Sequence, residues 1–178
     1  MAKGDSDMLQ AMNSLRSNEK SSLNSENVGY YMDVQYANLQ QKLAGINITT
    51  VRGEQDINIT IPGSLMFDSN SARLNSFSEQ PLLLIADVLT EYYKTLIVVE
   101  GHADNQGDAD YNLRLSEKRA LAVGRYLLNH KVMRPRLYLM GFGANRPVSS
   151  NQSDKGRAAN RRIELIIKPV MDKPPDHF

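Results

Sequence analysis

Asp104 and Arg119 are the residues of this chain best suited to hold a ligand between them. Asp104 closes the run Val98-Val99-Glu100-Gly101-His102-Ala103-Asp104, at the carboxyl end of an apolar strand. Loops carried there by a rigid scaffold collect binding groups. Arg119 lies among Ala120, Leu121, Ala122 and Val123. A guanidinium in such company needs a partner or a cleft, because an unpaired buried charge is expensive. Converging on one pocket, the two suit a zwitterion. The Asp104 carboxylate takes an ammonium, and the planar fork of Arg119 takes a carboxylate bidentately, as a lysine does not. Asn112, Ser116 and Arg119 share one helical face at i, i+4, i+7 spacing, and the Asn112 amide can orient either end of the ligand.

Other readings of the same residues stand beside this one. Arg119 can form a structural ion pair with Asp104 or Glu117. His102 reads as a structural histidine, since no Ser or Cys nucleophile stands near it in sequence. Asp104, Asp108 and Asp110 imitate a calcium loop, but Ala109 occupies the required glycine position and Leu115 the terminal glutamate position. No metal or cofactor is expected. Lys155, Arg157, Arg161 and Arg162 form a small basic cluster. With no interleaved aromatics and a net charge of +1, it fits loop anchoring and a ligand rim better than nucleic acid.

The elements that must position these groups are legible from periodicity. A helix is expected from Tyr30 to Leu43, with Tyr36, Leu39 and Leu43 on one face and Gly45 as its stop. Ile46, Ile48 and Thr50, then Ile57, Ile59 and Ile61, alternate as two strands of a hairpin around Gly53-Glu54-Gln55-Asp56. Phe67-Asp68-Ser69-Asn70 is a loop before a helix from Ser78 to Tyr93, in which Pro81 is tolerable only in the first turn. Leu96 to Val99 reads as a central strand, Asp110 to Asn129 as a long helix, and Leu137 to Met140 as a strand. Residues 143 to 160 read as a polar loop, and Arg162 to Ile167 as the last strand before Pro169. The fold class is α+β, a mixed sheet with helices packed on one face.

The whole chain of 178 residues holds 41% apolar residues, enough for a single core, and no cysteine, which removes disulfides and thiolate chemistry. No apolar run approaches the ~20 residues of a membrane helix. Met1-Ala2-Lys3-Gly4 leads straight into polar sequence. An export signal, and any lipidated cysteine, is expected to have been removed, so a membrane is reached only through that missing anchor. The expected divisions are a flexible polar tether over 1–29, a helix and hairpin over 30–63, the main domain over 64–170, and a tail over 171–178.

The motifs taken in order carry a resemblance. Phe67-Asp68, Gly101-His102-Ala103-Asp104, Asn112-Leu113-Arg114-Leu115-Ser116-Glu117-Lys118-Arg119-Ala120, Gly141-Phe142-Gly143 and Asn160-Arg161-Arg162 together resemble the OmpA-like C-terminal domains, over residues 60 to 168. That family includes Pal lipoproteins, MotB and secretion-system accessory proteins. The resemblance implies a βαβαββ sandwich that binds peptidoglycan without catalysis and anchors an envelope complex in the periplasm, tethered to the outer membrane. It implies that Asp104 and Arg119 clamp diaminopimelate, whose free end is a zwitterion, with Asn112, Asn70 and Arg161 around them. Ala103 replaces the usual Thr of the family motif, removing a hydroxyl beside Asp104. Two alternatives remain: an interaction module with a vestigial ligand site, and a cell-wall hydrolase using His102 with Asp104.

Overall fold

The computed structural model describes residues 10, 13–15 and 22–172. Helix α1 (Val28–Lys42) starts two residues before the expected Tyr30 and buries Met32, Gln35 and Leu39, at i, i+3, i+7 spacing. Tyr36 is only partly buried and donates its hydroxyl to the Thr50 carbonyl. Gly45, at φ +79°, turns the chain after the helix. Strand β1 (Thr49–Arg52) is shorter than its alternation suggests, because Ile46 to Ile48 are spent on the turn that leaves α1. It pairs antiparallel with β2 (Ile57–Pro62), whose Ile57, Ile59 and Ile61 are buried as alternation requires.

A single turn, α2 (Gly63–Met66), follows directly, where the sequence indicated only a strand end. The Phe67 loop is then closed by a bridge between Phe67 and Leu74. Helix α3 (Glu79–Glu91) keeps Pro81 in its first turn and buries Leu82, Ile85, Val88 and Leu89. Strand β3 (Thr95–Gly101) is buried along its entire length. Helix α4 (Ala109–Asn129) is capped by Asp108, whose carboxylate accepts the Tyr111 N–H at 2.7 Å. Strand β4 (Leu137–Gly141) runs parallel to β3. Within the expected polar loop over 143 to 160 lies a short helix, α5 (Asp154–Asn160), capped by Ser153. Strand β5 (Arg162–Pro169) completes the sheet.

The sheet order is β1-β2-β5-β3-β4, with β5 antiparallel to both neighbours. The mixed α+β class is therefore as expected. One sheet face, carrying Ile59, Ile97, Val99, Ile163 and Leu165, meets the apolar sides of α1, α3 and α4 in the main core. The opposite face has a smaller cluster of Leu96, Val98 and Val170, with Leu15, Tyr138, Met140 and Ile166 packed on it.

Two local features fix this frame. Arg136, 1% exposed, donates to the carbonyls of Leu89, Tyr92 and Thr95 and to the Thr95 hydroxyl at 2.6 to 3.1 Å. It satisfies carbonyls at the carboxyl end of α3, where the helix dipole favours a cation. Burial pulls its guanidinium down to about 10, with Tyr31 opposing. The second feature departs from the expected tether over 1–29. Leu23 is buried, donates its N–H to the Val170 carbonyl at 2.7 Å and accepts the Asp172 N–H at 2.9 Å, in a parallel bridge with Met171. Ser22 and Leu23, both buried, therefore belong to the packed body. Most of the expected tether, and the expected tail from 173 onward, lie outside the described residues.

Candidate functional site

The site is built by one close approach of strand and helix. A Cβ on Gly101 would come within 2.1 Å of the Ser116 carbonyl oxygen, so only glycine lets β3 and α4 meet there. Three residues beyond each contact point stand Asp104 and Arg119. Ser116 then ties in a third segment: its hydroxyl donates to the Leu113 carbonyl and accepts the Gly143 N–H at 2.9 Å. On the other side of the site, the Gly63 N–H donates to the Arg161 carbonyl at 2.8 Å. A Cβ on Gly63 would meet that oxygen at the same distance.

These contacts enclose a cavity of about 360 Å³. Asn70, Asp104, Asn112, Arg119 and Arg161, the five residues singled out from the sequence, all line it. So do Phe67, Asp68, Gln106, Leu115 and Ala103. Two aspartates and two arginines face the same space, so their formal charges cancel.

Arg119 is 6% exposed. Its Nε donates to the Ser71 carbonyl at 2.8 Å, and its guanidinium lies 5.0 Å over the Phe67 ring. Among the described residues no carboxylate pairs with it, so the structural ion pair with Asp104 or Glu117 is not formed. Its terminal nitrogens have no described partner. Burial lowers its pKa from the usual arginine value, Arg161 adds to that effect, and Tyr111 and Asp104 oppose it.

Asp104, 8% exposed, is engaged differently. One oxygen accepts the Gln106 N–H at 3.0 Å, and the other accepts the Arg161 guanidinium at 2.5 Å. Asn112 donates its amide to the carbonyls of Gln106 at 2.7 Å and Asp104 at 3.4 Å. It shapes the 104–106 loop. Asn70 adopts a left-handed backbone, φ +53°, and its carbonyl accepts from the Tyr111 hydroxyl at 3.5 Å. Ala103 is buried and its N–H donates to the Gly143 carbonyl.

Three contributors were given no site role from the sequence: the Phe67 ring, the Ser71 carbonyl and Asn160. Asn160 is fully buried; its Oδ1 accepts the N–H groups of Val148 and Ser149, and its Nδ2 donates to the Ser149 carbonyl and the Asn151 side chain. It closes the loop from which Arg161 emerges. The Asn-Arg-Arg order was a usable signal for it. A backbone carbonyl such as that of Ser71 leaves no residue-type signal at all.

The basic cluster disperses. Arg161 joins Asp104, Arg162 is buried against Glu164, and Arg157 bonds to Asp154 and the Asn151 carbonyl. His102, 1% exposed, is enclosed between Glu100 and Glu164 at 3.5 and 4.0 Å from its Nε2 and stacks on Phe142. It does not line the cavity, so it is not positioned to act with Asp104 on a ligand there.

The OmpA family model matches residues 66–161, and the chain belongs to that family. It is 39% identical over 143 residues to the Escherichia coli protein named "Probable lipoprotein YiaD", covering 80% of this chain and 65% of that protein's length. It is 33% identical to the peptidoglycan-associated lipoprotein of Mesorhizobium japonicum, over 70% of this chain and 74% of the relative. Among solved structures, the cell wall anchor of the T6SS from Pseudomonas aeruginosa superposes with a TM-score of 0.68 at 31% identity, over 75% of this chain and 99% of the anchor. No helix among the described residues is long and apolar enough to cross a membrane.

Proposed function

We propose that this chain binds peptidoglycan non-covalently, through the diaminopimelate of its stem peptides, and anchors an envelope assembly to the cell wall. The observation that carries this reading is the state of Arg119. It is buried, its Nε is held by Ser71, its terminal nitrogens are unspent, and it shares a cavity with Asp104. A fixed guanidinium with free terminal donors is preorganised for a bidentate carboxylate. The charge-balanced cavity suits a ligand that brings one charge of each sign.

In this reading Arg119 takes the ligand carboxylate and Asp104 the ammonium. Asp104 already receives Arg161, whose side chain is half-exposed and free to move toward the incoming carboxylate. Asn112 and Gln106 hold the loop that presents Asp104, and Asn70 forms the rim. The group is a clamp and performs no bond chemistry. Relatives named as a peptidoglycan-associated lipoprotein and a cell wall anchor support a wall-binding role in the periplasm, with the outer membrane as the tethering surface.

The test is co-sedimentation of the chain with purified sacculi. Asp104→Ala and Arg119→Ala should each abolish it while circular dichroism and melting stay near wild type. Truncating one partner of a desolvated charged contact costs about 2–5 kcal/mol, tens to thousands in affinity. Wild-type sedimentation by both variants overturns the clamp.

A further inference from the structure

Beside the clamp lies a second hollow, of about 310 Å³, between the Asn70–Ala72 segment and the outer face of α4. Tyr111, Arg114 and Lys118 form its α4 side, at i, i+3, i+7 spacing on one helical face. The two hollows share Asn70 and Leu115 as a common wall. No described carboxylate lines the second one, so it carries two cations and no counter-charge. Arg114 and Lys118 are exposed and pair with no described acid, although Asp110 stands one turn before Arg114.

The wall between the hollows is not loose. Arg119 holds the Ser71 carbonyl from the clamp side, the Ser71 hydroxyl accepts the Arg73 N–H, and the Tyr111 hydroxyl reaches the Asn70 carbonyl. The clamp and its neighbour are thus fixed relative to each other by the side chain that would hold the diaminopimelate carboxylate.

Building on the diaminopimelate reading, we propose that this second hollow is a subsite for another carboxylate of the same stem peptide, with Arg114 and Lys118 as its donors. The group one residue before diaminopimelate has the matching chemistry: a γ-linked D-glutamate, whose α-carboxylate is free. A cavity sharing a wall with the clamp fits a group one residue away in the ligand. The Arg114 fork suits a planar carboxylate, and Lys118 adds a mobile point charge. The consequence is discrimination between stem peptides whose glutamate is free and those in which it is amidated.

Calorimetry on the whole chain tests this with three ligands: free meso-diaminopimelate, the tripeptide L-Ala-γ-D-Glu-diaminopimelate, and the same tripeptide amidated at the glutamate α-carboxylate. The wild type should prefer the free tripeptide over the amidated one by about fivefold to tenfold, as expected for two partly exposed charge contacts. The double variant Arg114→Ala/Lys118→Ala should bind both tripeptides alike and free diaminopimelate as the wild type does. A wild type indifferent to amidation, or a double variant that still discriminates, overturns the subsite. Wild-type binding of free diaminopimelate together with indifference to amidation removes the subsite and keeps the clamp. A tripeptide preference that depends on Arg114 and Lys118, without binding of free diaminopimelate, does the reverse. No binding of any of the three ligands overturns both. Inorganic phosphate at constant ionic strength should displace the tripeptide no better than chloride. Specific displacement by phosphate at Arg114 and Lys118 reassigns the hollow and overturns the carboxylate assignment.

Discussion

Asp104 and Arg161, 57 residues apart in sequence, hold each other at 2.5 Å across the mouth of the cavity. Asp104 arrives on the loop after β3, and Arg161 on the residue between α5 and β5. The pair joins two segments, and its arginine half remains half-exposed. Arg161 therefore occupies the carboxylate that, in the proposed clamp, would take the ligand's ammonium.

Arg161→Ala distinguishes a gatekeeper from a contributor. Stability should change by less than about 1 kcal/mol, because a half-exposed ion pair contributes little. Sacculus binding should weaken, since the cavity loses a donor and its charge balance. Tighter binding by the variant would mean that Arg161 only competes with the ligand.

Stem peptides carrying lysine in place of diaminopimelate should bind about tenfold to a hundredfold more weakly. Lysine lacks the terminal carboxylate, which leaves Arg119 buried without its partner. Titration of both peptides against the same protein sample provides the measure, and equal affinities would count against a carboxylate contact at Arg119.

Arg136→Ala should lower stability by about 3–5 kcal/mol in chemical denaturation without altering sacculus binding by the folded fraction. The side chain satisfies the carbonyls of Leu89, Tyr92 and Thr95 in a site with almost no water access. Removing it strands several acceptors at once.

Glu164 gives the fold an acid sensitivity of defined sign. Burial pushes its carboxyl up, but the bond and charge of Arg162, with His102 and Asn58 adding, outweigh burial and leave it below its ordinary value of 4.5. A carboxyl depressed in the folded state contributes stability above the unfolded value and loses it as pH falls through the folded value. Melting temperature should therefore drop on acidification below about pH 4.5, and Glu164→Gln should flatten that part of the profile. An unchanged acid slope in the variant would assign the sensitivity to other carboxyls.

Leu23→Ala should cost about 2–3 kcal/mol, as for a buried leucine in a closed environment. A leucine on a free tether would cost nothing measurable. Thermal melts of the two proteins decide between them.

Much of this was readable in advance, for physical reasons. Ile57, Ile59 and Ile61 alternate because one sheet face is buried, and Leu82, Ile85, Val88 and Leu89 repeat because one helix face is. The Asn112, Ser116, Arg119 stripe was legible because polar residues on a buried helical face need a shared destination. Less accessible was α5. Seven residues with a glycine at the third position show no apolar period, and Gly156 is required by contact with the Ser150 carbonyl, a tertiary fact. The partner of Asp104 was also hidden. Sequence reading placed Arg119 with Asp104 on a shared ligand and named no ion pair with Arg161, which sheet order brings alongside through the β3–β5 pairing. Ser22 and Leu23 sit in a polar stretch, and only the backbone of Val170 and Asp172 beyond β5 reveals how Leu23 docks.

The position of β5 has a mechanical consequence. Its first residue, Arg162, follows the cavity's Arg161, and its last, Pro169, lies next to the Leu23 bridge. In the proposed anchoring role, a load between the ligand site and the Leu23 segment would run lengthwise along this strand, over about 26 Å. β5 is flanked on both sides by antiparallel neighbours. The pull therefore shears two ladders of hydrogen bonds together and cannot peel them open one at a time. That geometry suits the anchoring role proposed for the domain.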